Sequence, residues 1–163
     1  LGAPLRLRQE TVDLSELLEG LVQTTRAWTL PSGTTLGMSA KGDNVTVRGD
    51  RDLLHQAMAN IVRNAFQAMP SGGLVTITQA LSEDGSRVSL TVTDQGIGLA
   101  SEDLQRLGEP FFTKRGGGIG LGFSLARRVV KEHGGTVHVS STLGQGTSVT
   151  MELPVCEPTP AAA

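Results

Sequence analysis

The chain of 163 residues has one cysteine, no tyrosine and few other aromatic residues. The single cysteine, Cys156, excludes a disulfide within the chain and fits a reducing compartment. No apolar run approaches the ~20 residues of a membrane-spanning helix, and no signal peptide is visible. The formal net charge of -2 gives no bulk attraction to nucleic acid or to an anionic membrane. We therefore expect a cytoplasmic globular protein that binds neither.

Glycine, by contrast, is abundant, with 21 residues in the chain, and the excess is concentrated between Gly96 and Gly146. Such a concentration predicts loops that need positive φ angles or close approach of the backbone. Because the chain opens at Leu1 rather than at Met, we expect it to be a piece of a longer protein, which could itself be anchored in a membrane.

Periodicity and turn residues predict helices and strands that alternate along the chain. We predict a long functional loop over residues 95–117, because a loop of that length in a compact domain usually carries function. The layout predicts an α/β two-layer sandwich, with a mixed sheet and helices on one face. The predicted helices are 13–27, 51–69 and 121–133, and the predicted strands are 34–39, 45–48, 74–80, 87–93, 136–140 and 147–153.

Two asparagines lie four residues apart on the helix predicted for 51–69. At about 100° per residue, Asn60 and Asn64 fall within about 40° of each other, at one edge of an apolar stripe. An amide oxygen at such a border can bind Mg²⁺, which prefers oxygen ligands. The alternative is that both amides cap neighbouring loops. His55, on the same helix, fits the amphipathic pattern and is not expected to be catalytic.

A carboxylate ends the strand predicted for 87–93. Asp94 continues the parity of Val88, Leu90 and Val92, so it should point inward and needs hydrogen-bond donors there. The exocyclic amine of adenine is a suitable donor, and Gly96 and Gly98 would let the ring approach the backbone. The alternative is a structural aspartate in an Asx turn.

A second cluster of candidate residues follows in the predicted loop. The segment Glu109-Pro-Phe-Phe-Thr-Lys-Arg115 combines apolar anchors with two cations, and Lys114 or Arg115 could donate to a phosphate. The glycines from Gly116 to Gly122 then lead into a helix, whose N-terminus favours anions. Neither a Walker A motif nor a dinucleotide-binding motif matches this segment.

Together these segments resemble the ATP-binding catalytic domain of bacterial sensor histidine kinases, particularly nitrogen-regulation-type kinases. The resemblance covers roughly residues 5 to 153 and includes the wider GHKL superfamily of gyrase, Hsp90 and MutL, with its Bergerat-type fold and ATP lid. It rests on five segments in a fixed order: Leu54-His-Gln-Ala-Met-Ala-Asn-Ile-Val-Arg-Asn-Ala65, Asp94-Gln-Gly-Ile-Gly98, Glu109-Pro-Phe-Phe-Thr113, Gly118-Ile-Gly-Leu-Gly122 and Gly144-Gln-Gly-Thr147.

The resemblance implies ATP and Mg²⁺ as cofactors and assigns a role to each matching position. Asn64 would bind the Mg²⁺ that bridges the phosphates, with Asn60 assisting, and Asp94 would accept from the adenine amine. Thr147 would support Asp94 through water. The remaining implied nucleotide-binding residues are Gly96 and Gly98 against the base, Phe112, Thr113, Lys114 and Arg115 before the lid, and Gly118, Gly120, Leu121 and Gly122 in it. Asn60, Asn64 and Lys114 would also be catalytic.

The resemblance further implies a protein histidine kinase rather than an ATPase. The hydrolytic branch has a glutamate, the general base, where this chain has Asn60. Sensor kinases transfer the γ-phosphoryl group to a histidine that is normally followed by an acid and then a proline, and none of His55, His133 and His138 has such neighbours.

We therefore expect the phosphoacceptor histidine to lie on a separate helical-hairpin dimerisation domain. Residues 1–10 would join to that domain, 11–154 would form the catalytic domain, and 155–163 a disordered tail. The parent would be a homodimer that passes phosphate to a response regulator receiver domain, and this fragment would be a monomer. An anti-sigma-type serine kinase and an ATP-binding pseudokinase or interaction module are the alternatives.

Overall fold

The computed structural model describes residues 4–40, 44–107 and 119–156, with only the backbone described for Ala40 and residues 119–122. Strands and helices alternate through this part of the chain. In chain order the elements are β1 (Glu10–Asp13), α1 (Leu14–Arg26), β2 (Thr34–Ala40), β3 (Thr46–Gly49), α2 (Arg51–Gln67), β4 (Gly73–Leu81), β5 (Arg87–Thr93), α3 (Ser101–Arg106), α4 (Ile119–Glu132), β6 (Thr136–Thr142) and β7 (Gly146–Pro154).

Five strands form the main sheet, in the order β2-β4-β5-β7-β6. β2 pairs with β4 in parallel and the other pairs are antiparallel, so the sheet is mixed as predicted. Along β5 buried and half-buried residues alternate, which places the core on one face of the sheet. The helices cover that face, and α2 contacts both α1 and α4.

Aspartate side chains cap the N-termini of α1 and α2. The Asp13 carboxylate accepts from the backbone N–H of Ser15 at 2.8 Å, and the Asp50 carboxylate accepts from that of Leu53 at 3.1 Å. These bonds satisfy amides that lack an intrahelical partner in the first turn. Asp50 is thus the N-cap of α2, and the apolar stripe of α2 packs into the core.

The strands β2 and β3 do not pair with each other, although the predicted strands here were separated only by a turn. β3 pairs instead with β1 in a separate two-stranded sheet, while β2 forms an edge of the main sheet. The turn residues 41–43 lie outside the described part of the chain.

Two further boundaries differ from the sequence prediction. The predicted loop at 95–117 contains the helix α3. The predicted tail at 155–163 starts too early, because the backbone N–H of Val155 donates to Ser86 and that of Cys156 donates to Thr46, each at 2.8 Å. Residues 157–163 lie outside the described residues. In the described part of the chain, no helix has the length and apolar character needed to cross a bilayer.

Candidate nucleotide-binding site

A cavity lies between the helix layer and the sheet, where β5 ends. Its walls come from α2, α4, β5, β7 and the segment that follows Asp94. Most of the lining is aliphatic or aromatic, and Asn64, Asp94 and Thr147 provide the polar side chains. The lining residues are Ile61, Asn64, Ala65, Ala68, Val92, Asp94, Ile97, Gly98, Leu99, Leu107, Phe123, Thr147 and Val149.

Asp94 is the buried acid of this cavity, with 6% of its surface exposed. Its Oδ1 atom accepts from the backbone N–H of Gly96 at 2.8 Å and from that of Thr147 at 3.3 Å. Its own backbone N–H donates to the Thr147 carbonyl at 2.9 Å. These bonds fix the plane and position of the carboxylate at the end of β5. The inward orientation predicted from strand parity is confirmed.

Asn64 lies across the cavity from the strand, on α2. It is half-buried, at the border between the core and solvent, as the helical periodicity predicts. Asn60, one turn earlier, is also half-buried but does not line the cavity. The structure thus brings Asn64 and Asp94 together, and the roles of both asparagines towards a metal stay predictions.

The hydroxyl of Thr147 contacts Ser141, not Asp94. Ser141 Oγ donates to the Gly146 carbonyl at 3.1 Å, so the Thr147 hydroxyl is the donor in the 2.7 Å bond between the two side chains. Ser141 Oγ also accepts from the Leu99 backbone N–H at 2.8 Å. Thr147 therefore supports Asp94 directly through its backbone N–H, and Ser141 ties β6 to the segment that lines the cavity.

The glycines after Asp94 are needed for contacts within the protein. A Cβ at Gly96 would overlap the carbonyl of Ala68 at the end of α2. Gly98 has φ +68°, and a Cβ there would overlap the Thr142 carbonyl. Both glycines were expected to let the base approach the backbone. These contacts within the protein are a second reason why glycine is needed at each position.

Several cavity residues were not singled out from the sequence. Phe123 on α4 is 3% exposed, and Leu107 after α3 is 8% exposed; both line the cavity. The spacing of Phe123, Ala126 and Val130 along α4 is an apolar helical pattern that could have identified Phe123 as a buried residue. Leu107 had no such signal, because its position depends on α3.

The second cluster of candidate residues lies largely outside the described part of the chain. This applies to Phe112, Thr113, Lys114, Arg115 and Gly118. Gly120, Leu121 and Gly122 belong to the first turn of α4, which begins at Ile119. The helix therefore starts two residues earlier than predicted.

His55 and His133 make hydrogen bonds within the protein. His55 Nε2 and Thr24 Oγ1 form a 3.0 Å hydrogen bond between α2 and α1. The His133 ring bonds to the Val129 carbonyl and to the Asp50 backbone N–H. His138 is exposed on β6.

Comparison with known proteins identifies the family of the chain. The family described as "Histidine kinase-, DNA gyrase B-, and HSP90-like ATPase" matches residues 49–157. The chain belongs to this family. Sensor histidine kinase ZraS of Escherichia coli (strain K12) is 34% identical over 152 residues, 93% of this chain and 32% of that protein. Histidine protein kinase DivJ of Caulobacter vibrioides is 36% identical over 154 residues, 91% of this chain and 26% of that protein.

Solved structures of this ATPase family have the same fold. Mycobacterial sensor histidine kinase MprB superposes with a TM-score of 0.78 at 28% identity, covering 90% of this chain and 97% of that one. Full-length ShkA, solved in complex with AMPPNP, gives 0.82 at 29% identity, covering 96% of this chain and 33% of that one. The two-layer fold predicted from the sequence is therefore confirmed, and the chain spans about a third of the length of ZraS.

Proposed function

We propose that this domain binds magnesium–ATP in the cavity between α2 and β5. It would donate the γ-phosphoryl group to a histidine on a separate helical-hairpin domain of a two-component sensor kinase. The observation that carries the proposal is that Asn64 and Asp94 line one cavity. The Asp94 carboxylate suits the base of a nucleotide, and the Asn64 amide suits its phosphates and their metal.

The base would lie against the apolar walls near Val92 and Phe123. The Asp94 carboxylate, held in place by two backbone N–H groups, would accept from the exocyclic amine of adenine. Guanine presents a carbonyl oxygen at the equivalent position, which the carboxylate would repel. The site therefore favours adenine over guanine.

The phosphates and the metal would lie towards Asn64. In the described part of the chain, no group of three His, Cys, Asp or Glu residues could hold a metal by itself. The amide oxygen of Asn64 fits Mg²⁺, which commonly takes one or two protein oxygens and completes its coordination with phosphate oxygens and water. Bound there, the ion would neutralise phosphate charge, and Asn64 would orient it through the amide oxygen.

The chain is better suited to phosphoryl transfer than to hydrolysis. Asp94 is the only carboxylate among the described residues that line the cavity, and its Oδ1 atom is engaged by backbone donors. Where the hydrolytic relatives would carry a glutamate, this chain has Asn60. Because the described cavity residues include no general base directed at water, the terminal phosphoryl group would await an external acceptor.

The partners follow from this activity and are part of the proposal. The acceptor is the histidine hairpin of the same kinase, which would also dimerise the parent protein. The receiver domain of a response regulator would then take the phosphoryl group. The reaction would take place in the cytoplasm.

Calorimetric titration with AMPPNP, with and without Mg²⁺, tests the nucleotide site. Asp94→Asn should weaken binding by at least about tenfold, because it replaces a charged acceptor. Asn64→Ala should remove only the part of the affinity that depends on Mg²⁺, and Asn60→Ala measures the assisting role. Asp52→Asn, an exposed position on α2, is the control. An Asn64→Ala variant that binds magnesium–nucleotide like the parent would show the metal assignment to be wrong.

Incubation with labelled ATP and a histidine-hairpin domain tests the chemistry. Acid-labile phosphate on the hairpin supports a histidine kinase. Acid-stable phosphoserine on an antagonist protein would instead identify the anti-sigma type. A domain that binds no nucleotide in the titration would be an interaction module.

A further inference from the structure

A second cavity lies on the other side of Leu107 and Phe123. These two side chains line both cavities and form the partition between them. The second cavity is a groove bounded by α3, by α4 and by β6. The described residues thus enclose two neighbouring spaces that share one apolar wall.

The rim of this groove carries polar groups without partners. Gln105, Arg127 and His138 are exposed and line it, and none of the three makes a hydrogen bond or an ion pair with another described residue. No acidic side chain is among the described lining residues. The acids of α3, Glu102 and Asp103, lie outside that lining. A ligand that presents carboxylates would therefore match the groove in charge.

One side of the groove is an open edge of the main sheet. β6 pairs with β7 on one side and is the last strand of the sheet in the described part of the chain. Alternate backbone N–H and C=O groups of such a strand point away from its neighbour. Val137 and Val139 line the groove beside this edge. An edge strand with side-chain cavities along it is the arrangement that binds extended peptides by strand addition.

We propose that the groove between α3, α4 and β6 binds an extended, acidic segment of a partner protein. The segment would pair with the open edge of β6, so that its side chains alternate between the two faces of the sheet. Carboxylates on the side of α4 would bind Arg127, and those on the opposite side would bind His138. The proposal of this ligand does not rest on the identity of the nucleotide in the first cavity.

Binding in the groove would change the nucleotide affinity of the first cavity. Leu107 and Phe123 are nearly fully buried, with 8% and 3% of their surfaces exposed, and close-packed side chains transmit displacement. A segment that presses on this partition changes the wall on the other side. Peptide and nucleotide affinities should therefore be coupled, by the same factor in both directions.

The test uses a peptide of seven glutamate residues, blocked at both ends, titrated into the ¹⁵N-labelled domain. Amide shifts should change along β6 and α3 and at Phe123. Arg127→Gln should weaken binding about fivefold, through loss of a charge-assisted bond. Arg48→Gln, at an exposed arginine on β3 outside the groove, is the matched control and should bind like the parent.

Four outcomes would overturn the proposal. A peptide with lysine in place of glutamate could bind equally well, or Arg127→Gln could match Arg48→Gln, and either would remove the charge argument. Succinate alone could reproduce the same shifts, which would make the groove a small-anion site. Sedimentation could reveal dimers that Arg127→Gln dissociates, which would make a second copy of the chain the occupant.

Discussion

The imidazole of His133 accepts a hydrogen bond from the backbone N–H of Asp50, with 2.9 Å between the nitrogens. Its other nitrogen, Nδ1, lies 2.7 Å from the Val129 carbonyl, which can only accept, so Nδ1 is the donor in that bond. The ring therefore joins the end of α4 to the start of α2. A Cβ at Gly49 would overlap it, which explains the glycine there. Both helices line the nucleotide cavity, so this bond helps to set their spacing.

Replacing this ring should destabilise the domain. His133→Ala leaves the Asp50 backbone N–H without its partner, whereas the Val129 carbonyl keeps the bond from the backbone N–H of residue 133. We expect the free energy of unfolding to fall by about 1–3 kcal/mol. Urea denaturation measures the loss. His138→Ala, at an exposed histidine without a described partner, should change stability by less than about 0.5 kcal/mol. Equal effects at the two positions would show that the His133 bonds contribute nothing.

The carboxyl of Asp50 should make stability depend on acid pH. Burial raises its pKa, but hydrogen bonds from backbone N–H groups, chiefly those of Arg8 and Leu53, outweigh burial and hold the pKa below 3.8. A carboxyl whose pKa is lower in the folded state stabilises the fold above its unfolded pKa. That contribution is lost as the pH falls through the folded value.

The comparison of Asp50→Asn with the parent measures this contribution. The difference in unfolding free energy should be constant down to about pH 4 and shrink below it. Asp52→Asn, on the exposed side of the same helix, is the control. A difference that grows on acidification would contradict the assignment.

Two glycines with similar backbone angles should tolerate alanine very differently. Gly98 has φ +68° and no room for a Cβ beside the Thr142 carbonyl, whereas Gly144 has φ +82° and no atom within 4 Å of the added carbon. Gly144→Ala should cost about 1 kcal/mol, the strain of the left-handed conformation. Gly98→Ala should cost more than about 2 kcal/mol. Thermal unfolding of both variants checks this, and equal losses would show that the close contact is unimportant.

A buried amide offers a stabilising substitution. Gln79 is 2% exposed, and its Oε1 atom makes no hydrogen bond with the described residues. Gln79→Met keeps a similar shape without the unsatisfied oxygen, and should raise the free energy of unfolding by about 1 kcal/mol. Gln56→Met, on the exposed face of α2, should leave it unchanged. A clear loss of stability in Gln79→Met would mean that the amide has a partner, such as a bound water.

Local periodicity was enough to place the two ends of the site. The parity of β5 fixes the direction of Asp94, and the helical spacing of α2 fixes that of Asn64, because each depends only on its own element. That the two meet across one cavity required the resemblance to a known family, since neither element encodes its neighbour.

The interactions that the sequence did not predict are long-range or weakly signalled. The bond between His133 and Asp50 joins residues 83 positions apart. The contact of Ser141 with Leu99 depends on how the last hairpin packs against the segment after β5. The helix α3 has six residues and no side-chain bond at its N-cap, and its main signal is two acids in the first turn.

The small sheet of β1 and β3 has a practical consequence for anyone preparing this protein. The recognisable family segment starts at residue 49, yet Val12, Leu14 and Leu21 are fully buried in the same core. A chain trimmed to that segment would lack α1, so the apolar side of α2 that packs against α1 would be exposed. The product would tend to aggregate rather than fold. We expect the shortest soluble version to begin before the Arg8 amide that bonds Asp50 and to end no earlier than Cys156, whose backbone closes onto Thr46.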